Sequence, residues 1–303
     1  IAVRMAEQTL SYAELNTQAN TLAHKLVTLG AAGQIVAICC PRDIRLPIAA
    51  LACVKAAACY VPVDPAYPAE RIQAMLADAQ PTVVLTHSSV TLPGQSAPVL
   101  VLDELTLDES VSAVAGPALS DALYCIYTSG STGTPKGVQL SQQGLANLLQ
   151  WQMTHERLSR PAKTLQFASF SFDVSFQELF STWCTGGELV MISEDQRQDL
   201  SALAGFIAEQ NIERVYLPFA ALQPLAESWE HSATDLSLND IVVAGEQLKV
   251  TPAVRSLFTR LDKAALHNQY GPSETHVVTA LTLTGDANNW PTLPSIVTPV
   301  GNT

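Results

Sequence analysis

Hydrophobic and polar positions along this chain switch between two periods. At residues 9–12 a strand-like run, TLSY, precedes an S-x-x-E pattern formed by Ser11 and Glu14. That pattern predicts a capped helix carrying Leu15, Ala19, Leu22 and Leu26 on one face, ended by Gly30. Apolar runs then predict buried strands at 35–40, 59–63 and 82–86, separated by helical spacing at 46–58 and 69–79. Residues 87–121 are rich in Ser, Pro and acidic residues around a short apolar VLVLDEL and read as a surface excursion joining two lobes. The apolar ALYCIY at 122–127 predicts another buried strand and 138–140 a short one, with Ser141 at an N-cap position ahead of LANLLQW. Further strands are predicted at 164–168, 188–192, 214–217, 240–244 and 277–283. Helices fall between them: QELFSTWC, with Ser175 and Glu178 as a second capping box, then 200–210, 220–227 and 251–261. The last twenty residues read as loop. Alternating β and α predicts an α/β fold built on parallel, doubly wound sheet, with lobes at 1–120 and 121–303.

Composition narrows the function. With 48% hydrophobic and 15% charged residues over 303 positions, the chain can bury a large core and is not a disordered segment. Its net charge of -12 repels nucleic-acid backbones, so no nucleic-acid partner is expected. The most apolar stretch, 46–63, is broken by Pro47, Lys55 and Pro62, so no membrane span is expected either. Cys39, Cys40, Cys53, Cys59, Cys125 and Cys184 lack metal-ligand spacing and sit in apolar runs, as small buried residues of a cytoplasmic protein would.

The densest chemistry lies at 127–138, YTSGSTGTPKGV. Thr128, Ser129, Ser131, Thr132 and Thr134 supply hydroxyls, Gly130, Gly133 and Gly137 allow close backbone approach, and Lys136 adds a positive charge. Leaving a buried strand, such a loop is a natural phosphate cradle. It is not a G-x-x-x-x-G-K-[ST] loop, because counting from Gly130 puts Pro135 where the second glycine would stand. A polar surface hairpin is the plainer reading of the same residues.

Two other strings stand out. In FSFDVS at 170–175, Asp173 lies among Phe170, Phe172 and Phe176. A carboxylate in apolar surroundings needs a positive partner, and an α-ammonium group would serve; a helix cap or a solvated loop acid is the alternative. Asp173 and Gln177, four apart, share a face if the helix starts early enough. The second string is NQYGPSE at 268–274, of which a turn explains only Gly271 and Pro272.

Together these strings resemble the ANL adenylating superfamily, and within it the adenylation domains of nonribosomal peptide synthetases. YTSGSTGTPKGV resembles the family's phosphate-binding signature, FDVS the motif whose aspartate holds the substrate amino group, and NQYGPSE its NxYGPTE motif with serine for threonine. LSYAELN and residues 55–72, KAAACYVPVDPAYPAERI, also resemble family stretches, the second with alanine at 57 or 58 where glycine is usual. The resemblance implies a layered αβαβα core with two Rossmann-like sheets. Its members continue through a β-barrel portion and a small C-terminal lobe whose motifs this sequence does not show, so 1–303 is expected to be the N-terminal core.

The implied activity is ATP- and Mg²⁺-dependent conversion of an amino acid to aminoacyl-AMP with release of pyrophosphate. Transfer to the phosphopantetheine thiol of a carrier protein would follow. By the same resemblance Thr128, Ser129, Gly130, Ser131, Thr132, Gly133 and Lys136 hold the phosphates, and Gly245 and Glu246 line the nucleotide. Asn268, Tyr270, Gly271 and Ser273 surround the base, and Glu274 holds the metal. Thr128, Lys136 and Glu274 are the expected catalytic residues. The substrate pocket would comprise Asp173, Val174, Gln177, Tyr216, Val242, Ala244, Gln269, Val277 and Val278. No charge but that of Asp173 occurs among them, so a neutral amino acid is expected, and the Val-Gln pairing resembles proline-type pockets. Acyl-CoA synthetase-like activation of another carboxylic acid and a catalytically silent binding module stay open as alternatives.

Overall fold

The computed structural model describes residues 1–94, 96–107, 111–128, 135–230, 235–296 and 298–300. The chain divides into two compact units, one comprising Ile1–Ala146 with Ser169–Asp173, the other Asn147–Ala168 with Val174–Thr303.

The first unit opens with an antiparallel hairpin, β1 (Val3–Met5) and β2 (Gln8–Leu10), of which only the second strand was predicted. Helix α1 (Tyr12–Thr28) starts as its sequence dictates: the Ser11 hydroxyl accepts from the Glu14 amide at 3.1 Å and the Glu14 carboxylate accepts from the Ser11 amide at 2.7 Å. Then follow β3 (Ile35–Cys39), α2 (Arg45–Lys55), β4 (Cys59–Pro62), α3 (Ala69–Ala79), β5 (Val83–Thr86), β6 (Val99–Val101), β7 (Ala122–Thr128) and β8 (Lys136–Ser141). The sheet order is β6-β5-β3-β4-β7-β8, parallel except for β8, which returns antiparallel along β7. Alternation sends Ala37, Cys39, Cys59, Val61, Val84 and Cys125 to the α3 face, where they meet Ile72, Met75 and Leu76. Helix α2 packs on β3 and β4 and against α1. The expected surface excursion contains β6, which pairs with β5.

Helix α4 (Gln142–Thr154) leads into the second unit, which contains β9 (Lys163–Gln166), α5 (Val174–Cys184), β10 (Glu188–Met191), α6 (Glu194–Gln198), α7 (Leu200–Glu209) and β11 (Arg214–Leu217). There follow α8 (Phe219–Glu230), β12 (Asp240–Val243), α9 (Pro252–Arg260), β13 (Ala265–Tyr270), β14 (Thr279–Leu283) and β15 (Thr298–Pro299). Within the unit the strand order is β15-β14-β13-β12-β11-β9-β10; β14 and β15 run antiparallel and the rest parallel. One face carries the largest apolar cluster, in which Val215, Leu217, Ile241, Val243 and Leu266 meet residues of α7, α8 and α9. The two-sheet α/β architecture agrees with the expectation. Two local readings need correction. Ser175 is the second residue of α5 and not its N-cap, because the helix begins at Val174. Cys184, at the end of the same helix, is exposed, unlike the other five cysteines.

Candidate functional site

In the first unit, β7 and β8 converge on the hydroxyl-rich segment. Thr128 and Lys136 are directly opposed as the last pair of the hairpin ladder, Thr128 half-buried and Lys136 exposed. Ser129, Gly130, Ser131, Thr132 and Gly133 lie outside the described residues. Tyr124, Ile126 and Thr128 alternate onto one face of β7; on the other, the Tyr127 hydroxyl donates to the Asp78 carboxylate at 2.6 Å and ties the strand to α3. Close packing supports the return strand. A Cβ at Gly137 would stand 2.7 Å from the Cys125 sulfur, so any larger residue there would force the Cys125 side chain to move.

Asp173 belongs to the same unit, half-buried, with Phe170 buried and Phe172 64% exposed beside it. Burial raises the Tyr124 hydroxyl far above the usual phenol range, and the Asp173 charge raises it further, so the acid lies within electrostatic reach of β7. Thr128 is four residues along that strand, about 13 Å at 3.3 Å per residue. Asp173 immediately precedes α5, so the face shared with Gln177 that an earlier helix start would give is not formed within the helix.

In the second unit several of the predicted pocket residues lie on the sheet face opposite the large apolar cluster. Tyr216 and Val242 are register partners on β11 and β12 and pack with Leu158, and Trp151 and Val174 close over them. Trp151 also packs with Leu148, Ala280 and Val277, which brings Val277 to the same set. Gln177, Tyr216, Val242 and Gln269 are buried; Val174, Ala244, Val277 and Val278 are half-buried. Gln269 stands one alternation step beyond His267, the register partner of Val242, and neither end of its buried amide has a partner among the described residues.

The NQYGPSE string forms a tight turn after β13. The Thr275 and His276 amides donate to the Pro272 carbonyl, and the Val278 amide donates to the Tyr270 carbonyl at 2.8 Å. A Cβ at Gly271 would come 1.7 Å from the His276 carbonyl oxygen, so only glycine lets the chain fold back this closely. Asn268 is buried with its amide oxygen unpartnered among the described residues, Tyr270 is 58% exposed, Ser273 is half-buried and Glu274 is exposed. Gly245 turns the chain out of β12 at φ 85°, and the Glu246 carboxylate accepts from the Ala220 amide of α8 at 2.9 Å. The Glu246 side chain thus closes the start of α8.

Three features of this unit escaped the sequence reading. The Glu178 carboxylate, fully buried, accepts from the Phe167 and Ala168 amides at 3.0 Å and from the Gln166 side chain at 2.8 Å, pinning the chain after β9 to α5. Gln152 of α4 donates to the Tyr216 hydroxyl at 2.9 Å and accepts from the Gln177 amide nitrogen at 3.1 Å. Asp240 accepts from Arg157 and Arg214 at 3.2 Å and from His267 at 3.0 Å. Burial pushes its carboxyl up, but the His267 hydrogen bond and the Arg214 charge outweigh this and leave it well below the usual carboxylate range. Only partners far apart in sequence make these groups legible, so no local pattern signals them.

Comparisons with known proteins fit this geometry. The family model described as AMP-binding enzyme matches residues 1–303. Tyrocidine synthase 2 of Brevibacillus parabrevis is 36% identical over 100% of this chain and 8% of its own length. Gramicidin S synthase 2 of Brevibacillus brevis is 33% identical over 100% of this chain and 7% of its own. The chain therefore spans less than a tenth of these relatives. Among solved structures, holo-AB3403, a four domain nonribosomal peptide synthetase bound to AMP and glycine, superposes with a TM-score of 0.81 at 27% identity, covering 98% of this chain and 22% of that one. The Klebsiella oxytoca NpsA N-terminal subdomain, in complex with 3-hydroxybenzoyl-AMSN, shares the fold at a TM-score of 0.83 and 24% identity, over 99% of this chain and 76% of its own.

Proposed function

The chain belongs to the AMP-binding enzyme family, and from that premise we propose that it activates a neutral amino acid with ATP, giving aminoacyl-AMP and pyrophosphate. The observation that supports the amino-acid reading is Asp173 itself, a half-buried carboxylate near the buried Phe170, in the same compact unit as the strand that feeds the hydroxyl-rich segment. An acid there binds the substrate ammonium and holds the carboxylate end toward the nucleotide.

A carboxylate oxygen of the substrate attacks the α-phosphorus, and the bond from that phosphorus to the bridging oxygen of pyrophosphate breaks. The nucleophile is already ionised, so no general base is required, and the protein contributes position and charge. Thr128 and Lys136, with Ser129, Gly130, Ser131, Thr132 and Gly133 between them, supply donors and positive charge to the phosphates. Asn268 fits the base, since its buried amide oxygen needs a donor such as an adenine amino group, and the exposed Tyr270 ring offers a stacking surface. Glu274 offers an exposed carboxylate suited to Mg²⁺, which when bound neutralises phosphate charge. Val174, Val242, Val277 and the amides of Gln177 and Gln269 would line a pocket without charge, which would favour neutral side chains, proline among them. A carrier protein bearing a phosphopantetheine thiol is the proposed acceptor of the acyl group.

ATP–pyrophosphate exchange across the neutral amino acids, on the full-length protein carrying this sequence, tests the reading. Asp173→Ala is expected to cost about 2 to 5 kcal/mol, or roughly 30-fold or more in amino-acid KM. Exchange that proceeds unchanged in that variant would remove the case for an amino-acid substrate.

A further inference from the structure

Between α4 and the sheet of the second unit runs a buried polar relay that joins two residues of the predicted pocket, Gln177 and Tyr216, to Gln152 and Ser181, which lie outside it. Its centre is Gln152, which has no exposed surface although both ends of its amide are polar. The nitrogen donates to the Tyr216 hydroxyl at 2.9 Å, and the oxygen accepts from the Gln177 nitrogen at 3.1 Å. The Tyr216 hydroxyl is held from its other side by Ser181 at 3.1 Å. This fixes the Gln177 amide in one of its two orientations. Its nitrogen is committed to Gln152, while its oxygen is buried with no partner among the described residues. A buried carbonyl oxygen without a donor is costly, and a bound ligand that supplies an N–H or O–H removes the cost.

We propose that Gln152 is a positioning residue for amino-acid selectivity, acting by holding the Gln177 amide so that its carbonyl oxygen faces the substrate. The proposal rests on the adenylation reading above. It predicts that selectivity depends on an acceptor at Gln152 and not merely on the volume filled there. Gln152→Met keeps the volume and frees the Gln177 amide to turn. Gln152→Glu keeps an oxygen that accepts from the Gln177 nitrogen.

The test is amino-acid-dependent ATP–pyrophosphate exchange on the full-length protein, ranking kcat/KM over neutral amino acids, with ATP KM and a melting curve for each variant. Gln152→Met is expected to narrow the ratio between the best amino acid and its competitors about tenfold, mainly through amino-acid KM. ATP KM should stay unchanged, and Gln152→Glu should retain the wild-type ranking. A folded Gln152→Met that keeps the ranking, or slows every amino acid by one common factor, overturns the proposal. If that variant does not fold, Gln152→Asn, too short to reach both partners, is judged by the same two criteria. Wild-type protein that exchanges with no amino acid overturns the adenylation reading itself, a failure distinguishable from a wild type that is selective and a variant that is equally so.

Discussion

Removing the Asp240 carboxylate is expected to unfold the second unit well before the wild type unfolds. Asp240 is 6% exposed at its side chain, and two of its three partners, Arg214 and His267, are 0% and 1% exposed. In Asp240→Leu the Arg214 guanidinium loses its counter-charge inside the protein, while Arg157, 24% exposed, keeps the Asn239 and Lys263 carbonyls. Stranding a buried charge costs about 3 to 5 kcal/mol, and at this size each kcal/mol lowers the midpoint by about 2 to 4 °C, so the melting temperature should drop by roughly 6 to 20 °C. The four tryptophans, Trp151, Trp183, Trp229 and Trp290, all belong to the second unit, so tryptophan fluorescence in a urea titration follows that unit alone. A loss below about 1 kcal/mol at unchanged m-value would refute the reasoning, because it would mean that Arg214 does not depend on this anion. The double variant Arg214→Met, Asp240→Leu sharpens the test. With both charges gone, the desolvation cost goes too, and most of the lost stability should return.

Three further outcomes are expected. Burial lowers the imidazoles of His155 and His267 against the opposing pull of Asp240, so below pH about 6.5 the unfolded chain takes up protons that the folded one refuses. The stability they contribute is present above that pH and is lost as pH falls, and the depressed Asp240 carboxyl adds a second loss below about pH 4; a tryptophan-monitored midpoint that rises on acidification would contradict this. Ala57 sits at φ 54°, a left-handed conformation that glycine adopts freely, so Ala57→Gly should stabilise the first unit by about 0.5 to 1 kcal/mol in circular-dichroism melting. Gly271→Ala must move the His276 backbone, since the new Cβ would stand 1.7 Å from its oxygen; a loss of at least about 2 kcal/mol in the urea titration is expected, with a raised ATP KM.

Much of this fold is legible in the hydrophobic pattern because the central parallel strands β3, β4, β5, β11 and β12 are buried along almost their whole length and the longer helices bury one face. The helix at 69–79 and the strand at 214–217 fall where periodicity puts them, and Thr251 caps α9 as a β-hydroxyl before a proline should. Elements held by partners rather than by pattern escape it: β1, three residues long, exists through its pairing with β2, and β15 through its pairing with β14. Ser175 with Glu178 matches a capping box letter for letter, yet the carboxylate is engaged by amides at 167 and 168, which a local rule cannot anticipate. In the sequence, alanine for glycine at 57 or 58 looks like a packing detail, whereas the left-handed φ at Ala57 makes it a backbone requirement that alanine meets at a cost.

The sheet of the second unit shows why its polar residues and its pocket share one face. Alternation leaves Val215, Leu217, Ile241 and Val243 to the apolar side and turns Arg214, Tyr216, Asp240, Val242, His267 and Gln269 to the other. At the start of those strands the polar groups engage one another: Asp240 gathers two arginines and His267, and His267 reaches the Thr282 hydroxyl of β14 at 3.0 Å, while the buried Arg214 Nε and Nη1 have no hydrogen-bond partner among the described residues. One alternation step further along, the amide of Gln269 has no partner among the described residues. The ion network ties β11, β12, β13 and β14 to one another, so a shift of strand register that would bring Gln269 a partner breaks charge-assisted bonds costing more than a neutral one returns. Polar groups held unpaired in this way are available to a ligand at no cost in reorganisation. Weakening the network should therefore loosen substrate discrimination as well as stability, through a face of the sheet that carries both.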